Sequence, residues 1–275
     1  MEGILAVWQR DVIKFFRDIS RLLGSFAMPF MFLILFGSGM SGAMQSMIGG
    51  SGGGPLADFD FVKFMFPGII GMVVFTNSIF SALSVVQDKE FGYMREILVS
   101  PMSRVSIAIG KVLGGTTVAV IQGLMMLIFV PFIGVSISFL MVVKLIPIMF
   151  LVGFTMSSIG LLIASLLNSA QGFQMVSQIL LFPMLFLSGA LFPLNGMPAW
   201  MDVIVKINPL TYSVDMLKNV VLQPGTLSEP MQEAMGLNLD LFGHTISLTG
   251  DILIVLGIAA VFIVLATVRF AKTEA

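Results

Sequence analysis

DKEFGYMREILVSPMSRVSIAIGK, residues 88 to 111, is an island of charge between two long apolar runs. It holds Lys89, Arg95, Arg104 and Lys111, four of the chain's 14 lysines and arginines. Positive charge this dense beside membrane-length helices marks a cytoplasmic loop, because the positive-inside bias acts on short loops near helix ends. Within it, Met94, Ile97 and Leu98 fall on one helical face with Arg95 and Glu96 beside them. Ser100-Pro101 then stops the helix, since a residue before proline avoids the α region. A short helix with an apolar knob and charged flanks is shaped to dock into a soluble partner. An ordinary solvated loop accounts for the same residues.

Composition makes the flanking runs membrane helices. Apolar residues are 57% of the chain, charged residues 11%, and the mean hydropathy is +1.03. Soluble domains run at roughly 45–50% apolar and about 25% charged. Six runs are long enough to span a bilayer: Leu22 to Met44, Phe64 to Val86, Ser106 to Val130, Leu145 to Leu167, Phe173 to Phe192 and Ile252 to Val268. The expectation is an all-α membrane protein, one transmembrane domain over residues 1–275. With the N-terminus inside, Arg10, Lys14, Arg17, Arg21, the four basic residues of the island, Arg269 and Lys272 are cytoplasmic. Lys63, Lys144, Lys206 and Lys218 fall outside, as do Asp58, Asp60, Asp202, Asp215, Glu229, Glu233, Asp240 and Asp251. Both termini are therefore expected in the cytoplasm and the protein in the plasma membrane. The opening residues lack the short apolar core and small-residue cleavage site of a signal peptide.

Residues 1–21 alternate Trp8, Val12, Phe15, Phe16 and Ile19 with Arg10, Lys14, Arg17 and Asp18. That spacing predicts an amphipathic helix in the inner interface, apolar side to lipid and basic side to headgroups or a partner. Gly49 to Pro55 reads as a flexible outer linker. Residues 193–251 mix prolines with helical apolar spacing at Trp200, Ile204 and Ile207, which predicts short re-entrant helices. Gly110 and Gly114 form a GxxxG suited to close helix packing.

Several chemistries are excluded or disfavoured. With no cysteine there is no disulfide or thiolate metal site, and the lone His244 cannot build a zinc centre. No catalytic residue and no metal site is expected, and a net charge of −1 carries no nucleic-acid signal. Asn77, Ser81 and Ser84 share one helical face, Gln171, Gln174 and Gln178 another, and Gln122 stands alone. They serve either as glue between helices or as the lining of a substrate path. No ionisable residue lies near the middle of a span, so ion coupling has no relay. Ser41 and His244 superficially suggest an intramembrane serine protease, but they sit on separate segments with no evident oxyanion donor.

Three stretches carry a resemblance to a known family. In the island, Asp88, Lys89, Glu90, Gly92, Glu96, Leu98, Pro101, Ser103, Arg104, Gly110 and Lys111 match a signature that follows the second helix. LSGALFPLNGMPAWMDVIVKINPLTYSVDMLKNVVL, residues 187–222, carries the outer FP, MP-x-W and NP-L-T-Y elements, and RDISRLLGSFAMP, residues 17–29, enters the first helix. Together they resemble the permease subunit of type-2 ABC exporters, the class that includes drug-resistance, polysaccharide and nodulation-factor permeases. The resemblance implies two permease subunits, alike or different, each on a cytoplasmic ATPase. Residues 88–104 would then be the coupling loop, with Glu90, Gly92, Met94, Arg95, Glu96, Ile97, Leu98, Pro101 and Arg104 at the ATPase. Asn77, Ser81, Gln122, Gln174 and Gln178 would line the path, and Pro193, Pro198, Trp200, Asn208 and Pro209 the outer gate. The chain lacks G-x-x-x-x-G-K-[ST], so it binds no cofactor itself, and ATP and Mg belong to the partner ATPase. Against 25 Phe the chain has only 2 Trp and 2 Tyr, the aromatics with a polar handle that a glycan path uses. An apolar or amphipathic cargo is therefore expected over a polysaccharide or lipid-linked glycan.

Overall fold

In a computed structural model of the chain, residues 2–48, 60–94, 102–133, 138–194, 197–224, 229–237, 240–241 and 244–272 are described. They are almost wholly helical. The exception is a hairpin of two-residue strands, β1 (Asp240–Leu241) and β2 (His244–Thr245), paired antiparallel.

The central rod begins where Asp60 accepts from the amides of Val62 and Lys63 at 3.0 and 3.3 Å, capping α3 (Phe61–Ser81). After a kink at Ala82 it continues as α4 (Leu83–Glu90). The kink has a local cause. Ser81 and Ser84 return their hydroxyls to the carbonyls of Ser78 and Ser81, a back-bonding that bends helices. Against this rod pack α5 (Arg104–Met126) and α7 (Phe139–Leu166), and α12 (Leu248–Ala271) lies on α7 and α5, with α6 (Val130–Ile133) after a 3-10 turn that ends α5. These four long segments, counting α3 and α4 together, are long and apolar enough to cross a membrane. They correspond to the second, third, fourth and sixth spans expected from the sequence.

The other two are shorter among the described residues. In α2 (Ile19–Ile48) the apolar stretch is Ala27–Gly42, and α8 (Ala170–Phe186) has 17 residues. At 1.5 Å per residue α8 is about 25 Å long, short of a hydrocarbon core of about 30 Å. The sequence put its end at Phe192; the chain instead turns at Gly189, whose φ of +74° suits glycine. The turn tucks Ala190 onto α3 at Gly68, where a methyl group would collide with the Ala190 carbonyl. Two helices too short to span follow, α9 (Ala199–Ile207) and α10 (Pro209–Leu222), then α11 (Glu229–Ala234).

Helix α1 (Glu2–Arg17) corrects one expectation. Its apolar side is not given wholly to lipid: Val7 and Phe15 are buried in the protein, and the Trp8 indole donates to Thr117 Oγ1 at 2.9 Å. Leu5, Ile13 and Phe16 remain exposed. The reason lies in the GxxxG of α5. Gly110 and Gly114 have no side chain to hold α1 off, and a Cβ there would stand 2.9 Å from Val7 and 3.0 Å from Asp11.

Candidate functional site

The charged end of α4 joins four helices. Lys89 donates its ammonium hydrogens to the carbonyls of Ala164, Ser165 and Leu167 at 2.8, 3.1 and 3.3 Å. These are unpaired acceptors at the C-terminus of α7, the negative end of its dipole. The next residue does the opposite. Glu90 Oε2 accepts from the Ala170 amide at 3.0 Å, placing a carboxylate at the positive N-terminus of α8. Successive charges thus clamp both sides of the turn between α7 and α8.

Asp88, one residue earlier, faces the other way. It accepts from Arg10 of α1 at 3.4 Å and pairs with Lys111 of α5 at 3.6 Å. Lys111, its side chain 5% exposed, also pairs with Asp11 at 3.4 Å and donates to Ser84 at 2.9 Å. Breaking one side of such a buried network would strand the other charge at a cost of about 3–5 kcal/mol. Arg104 at the start of α5 donates to the Ala271 carbonyl at 2.7 Å, closing the C-terminal end of α12. Island, N-terminal helix and C-terminal helix therefore meet at one end of the molecule.

Several expected coupling residues occupy unexpected places. Met94 is 4% exposed and belongs to the chain's own core, so it is not part of an outward knob. Phe91 and Tyr93 are exposed instead, on either side of the turn at Gly92, whose φ is +81°. Arg95, Glu96, Ile97, Leu98 and Pro101 lie outside the described residues. Glu90 and Arg104, expected at the ATPase, hold partners within the chain.

The proposed path residues do not converge. Ser81 lines a cavity of about 360 Å³ between α1, α3 and α5, with Asp11, Lys14, Ser84 and Gln87. Asn77 returns its amide to the Val73 carbonyl at 2.8 Å, one turn above. Gln122 donates to Ser25 at 2.7 Å, joining α5 to α2, and its buried Oε1 has no donor among the described residues. Gln174 and Gln178 are exposed on α8.

At the opposite end, Asn208 caps α10 through the Leu210 amide at 3.0 Å and donates to the Met184 carbonyl of α8 at 2.7 Å. Thr211 adds a bond to the Leu187 carbonyl at 3.2 Å. Pro209 at the first position of α10 and Pro198 before α9 set the two helix starts. Trp200 is exposed, and Pro193 lies in the turn after α8. Sequence reasoning missed one feature here. Asp215, Lys218 and Asp251, read as outer-loop charges, are buried. Desolvation pushes the Asp215 carboxyl up to about 6 and the Lys218 ammonium down to about 7, the latter opposed by Asp215. The available signal was their place at helical spacing within apolar runs.

The chain matches the family model for ABC-2 type transporters over residues 2–222. A protein of Cyanophora paradoxa named as a transport permease, ycf38, is 28% identical over 79% of this chain and 73% of its own. Escherichia coli YbhR, named as a multidrug ABC transporter permease, is 30% identical over 62% of this chain and 46% of its own. Nodulation protein J of Rhizobium leguminosarum bv. trifolii is 24% identical over 79% of this chain and 80% of its own. With four membrane-length helices and this match, the chain belongs to the ABC-2 type transporter family, a membrane transport subunit and not itself an enzyme.

Proposed function

We propose that this chain is the transmembrane half of an ATP-driven exporter that moves an apolar or amphipathic small molecule or lipid out of the cytoplasm. A separate cytoplasmic ATPase supplies the energy and holds ATP and Mg, and two permease subunits, alike or different, form the path. The observation that carries this reading is the clamp at the end of α4. A push on residues 88–104 reaches α7 and α8 through Lys89 and Glu90, and α1 and α5 through Asp88. One displaced loop thereby moves helices on both sides of the central rod. In this reading both termini and the coupling loop face the cytoplasm, and membrane lipid surrounds the exposed apolar side chains of α7 and α12.

The test is reconstitution with the ATPase in lipid vesicles and a panel of lipophilic drugs, lipids and lipid-linked sugars. Drugs or lipids should stimulate ATP hydrolysis and be moved. Stimulation by the sugars alone would transfer the reading to glycan export. Transport driven by an ion gradient without the ATPase would overturn it. Glu90→Ala should leave membrane insertion intact and lower stimulated turnover several-fold, because the Ala170 amide at the start of α8 loses its carboxylate partner.

A further inference from the structure

The outer end buries a charged cluster that the coupling machinery does not use. Asp215 and Lys218 lie one turn apart on α10, and Asp251 sits in the first turn of α12, which packs along α10. Their exposures are 2%, 3% and 0%. Asn219 donates to Asp215 Oδ2 at 3.0 Å, and Oδ1 receives no donor among the described residues. Neither oxygen of Asp251 meets a donor among the described residues, yet its carboxyl lies within hydrogen-bonding range of the Asp215 carboxyl. Two carboxylates brought together away from water repel, and the contact becomes attractive only as O–H···O⁻. Lys218 holds its ammonium 4.0 Å from the centre of the Phe64 ring of α3, while its charge also acts on Asp215.

We propose that Asp215 and Asp251 bind one shared proton, and that this proton latches α10 to α12 and keeps the outer end closed. When the latch opens, both carboxyls reach water and ionise, and one proton leaves to the outer solution. Reclosure takes one up. The opening step rests on the exporter reading; the bound proton does not. No other group takes the proton's place among the described residues. Lys218 and Tyr212 are the neighbours that feel the pair electrostatically, and the Tyr212 hydroxyl is spent on the Lys206 carbonyl. On α9, Lys206 pairs with Asp202 at 2.6 Å, and on α3, Lys63 pairs with Asp60 at 3.5 Å. Helix α8 carries no charged residue, and Lys144 of α7 lines an exposed groove beside Asn219. The charges of α5, Arg104 and Lys111, belong to the coupling end, as does Arg269 of α12.

Infrared spectroscopy of the full chain in lipid nanodiscs tests the proton without the ATPase. The wild type should show a buried carboxylic C=O stretch at neutral pH that shifts in heavy water. Asp215→Asn and Asp251→Asn should each abolish it. Asp251→Asn should still fold, because its amide can donate to Asp215 in the proton's place. No such band, a band that survives both substitutions, or a sodium-dependent carboxylate signal instead would overturn the proposal. Thermal melting supplies the second measurement. A carboxyl pair whose proton is held more tightly in the closed fold stabilises that fold at low pH and loses the effect as pH rises. The wild-type Tm should therefore fall as pH climbs above neutral, where the pair gives up the one proton it shares. In Asp251→Asn the slope should largely vanish; an equal slope in both proteins would sink the latch. Failure of export with the infrared band intact would count against the exporter reading alone.

Discussion

Gly68 is a position where one methyl group decides the packing. It lies on the buried face of α3, and the turn after α8 places the Ala190 backbone directly against it. A backbone carbonyl cannot rotate away as a flexible side chain would. Gly68→Ala should therefore cost about 1–3 kcal/mol, the usual range for overpacking a tight core. The better helix propensity of alanine returns at most about 1 kcal/mol. Gly257 in α12 provides the control, since a methyl there meets nothing within 4 Å. In detergent, Gly68→Ala should melt below the wild type and Gly257→Ala at or slightly above it. Equal melting of the two variants would contradict the tight contact. None of this was legible in the sequence, where both are simply glycines in apolar helices. Met94 failed for a related reason: helical spacing marked it as apolar but could not say whether it turned outward or into the chain's own core. Asp251 was misjudged because a charge next to a loop looks solvated until a second helix is packed over it.

At the scale of elements, reading was better where length alone decides. The spans that became α3 with α4, α5, α7 and α12 are long apolar runs, and their ends moved by only a few residues. Helix α8 was drawn too long because LSGALFP continues the apolar run while its glycine reverses the chain. The GxxxG of α5 was read as close packing, and sequence could not name the partner, which is α1. That contact can be tested through Trp8, because Trp200→Phe leaves it the chain's only tryptophan. Its indole is half-buried and hydrogen-bonded to Thr117. In that background Gly114→Leu should lift α1 from α5, shift Trp8 emission to longer wavelength and raise its quenching by a water-soluble agent. Unchanged emission would mean that α1 does not depend on this groove.

For the whole molecule, the arrangement of charge supplies an internal check on orientation. Arg10 meets Asp88, Lys89 meets the end of α7, and Arg104 meets Ala271, so N-terminal helix, charged island and C-terminal end share one end of the bundle. The pairs Asp60–Lys63 and Asp202–Lys206, with Asp251, belong to the other. The sequence assigned these same groups to opposite sides by counting lysines and arginines, a rule about insertion that contains no tertiary geometry. Agreement between the two arguments fixes which parts lie together, and chemistry in intact cells can decide which side faces the cytoplasm. With no native cysteine, single cysteines give labelling without background. Cysteines at Gly52 and Thr249 should react with an impermeant maleimide in intact cells, and those at Ser103 and Lys272 only after permeabilisation. If Ser103 and Lys272 label first and together, the molecule is inverted as a unit. If Ser103 and Lys272 label on different sides, the Arg104–Ala271 contact cannot exist in the membrane, and the shared coupling end falls with it.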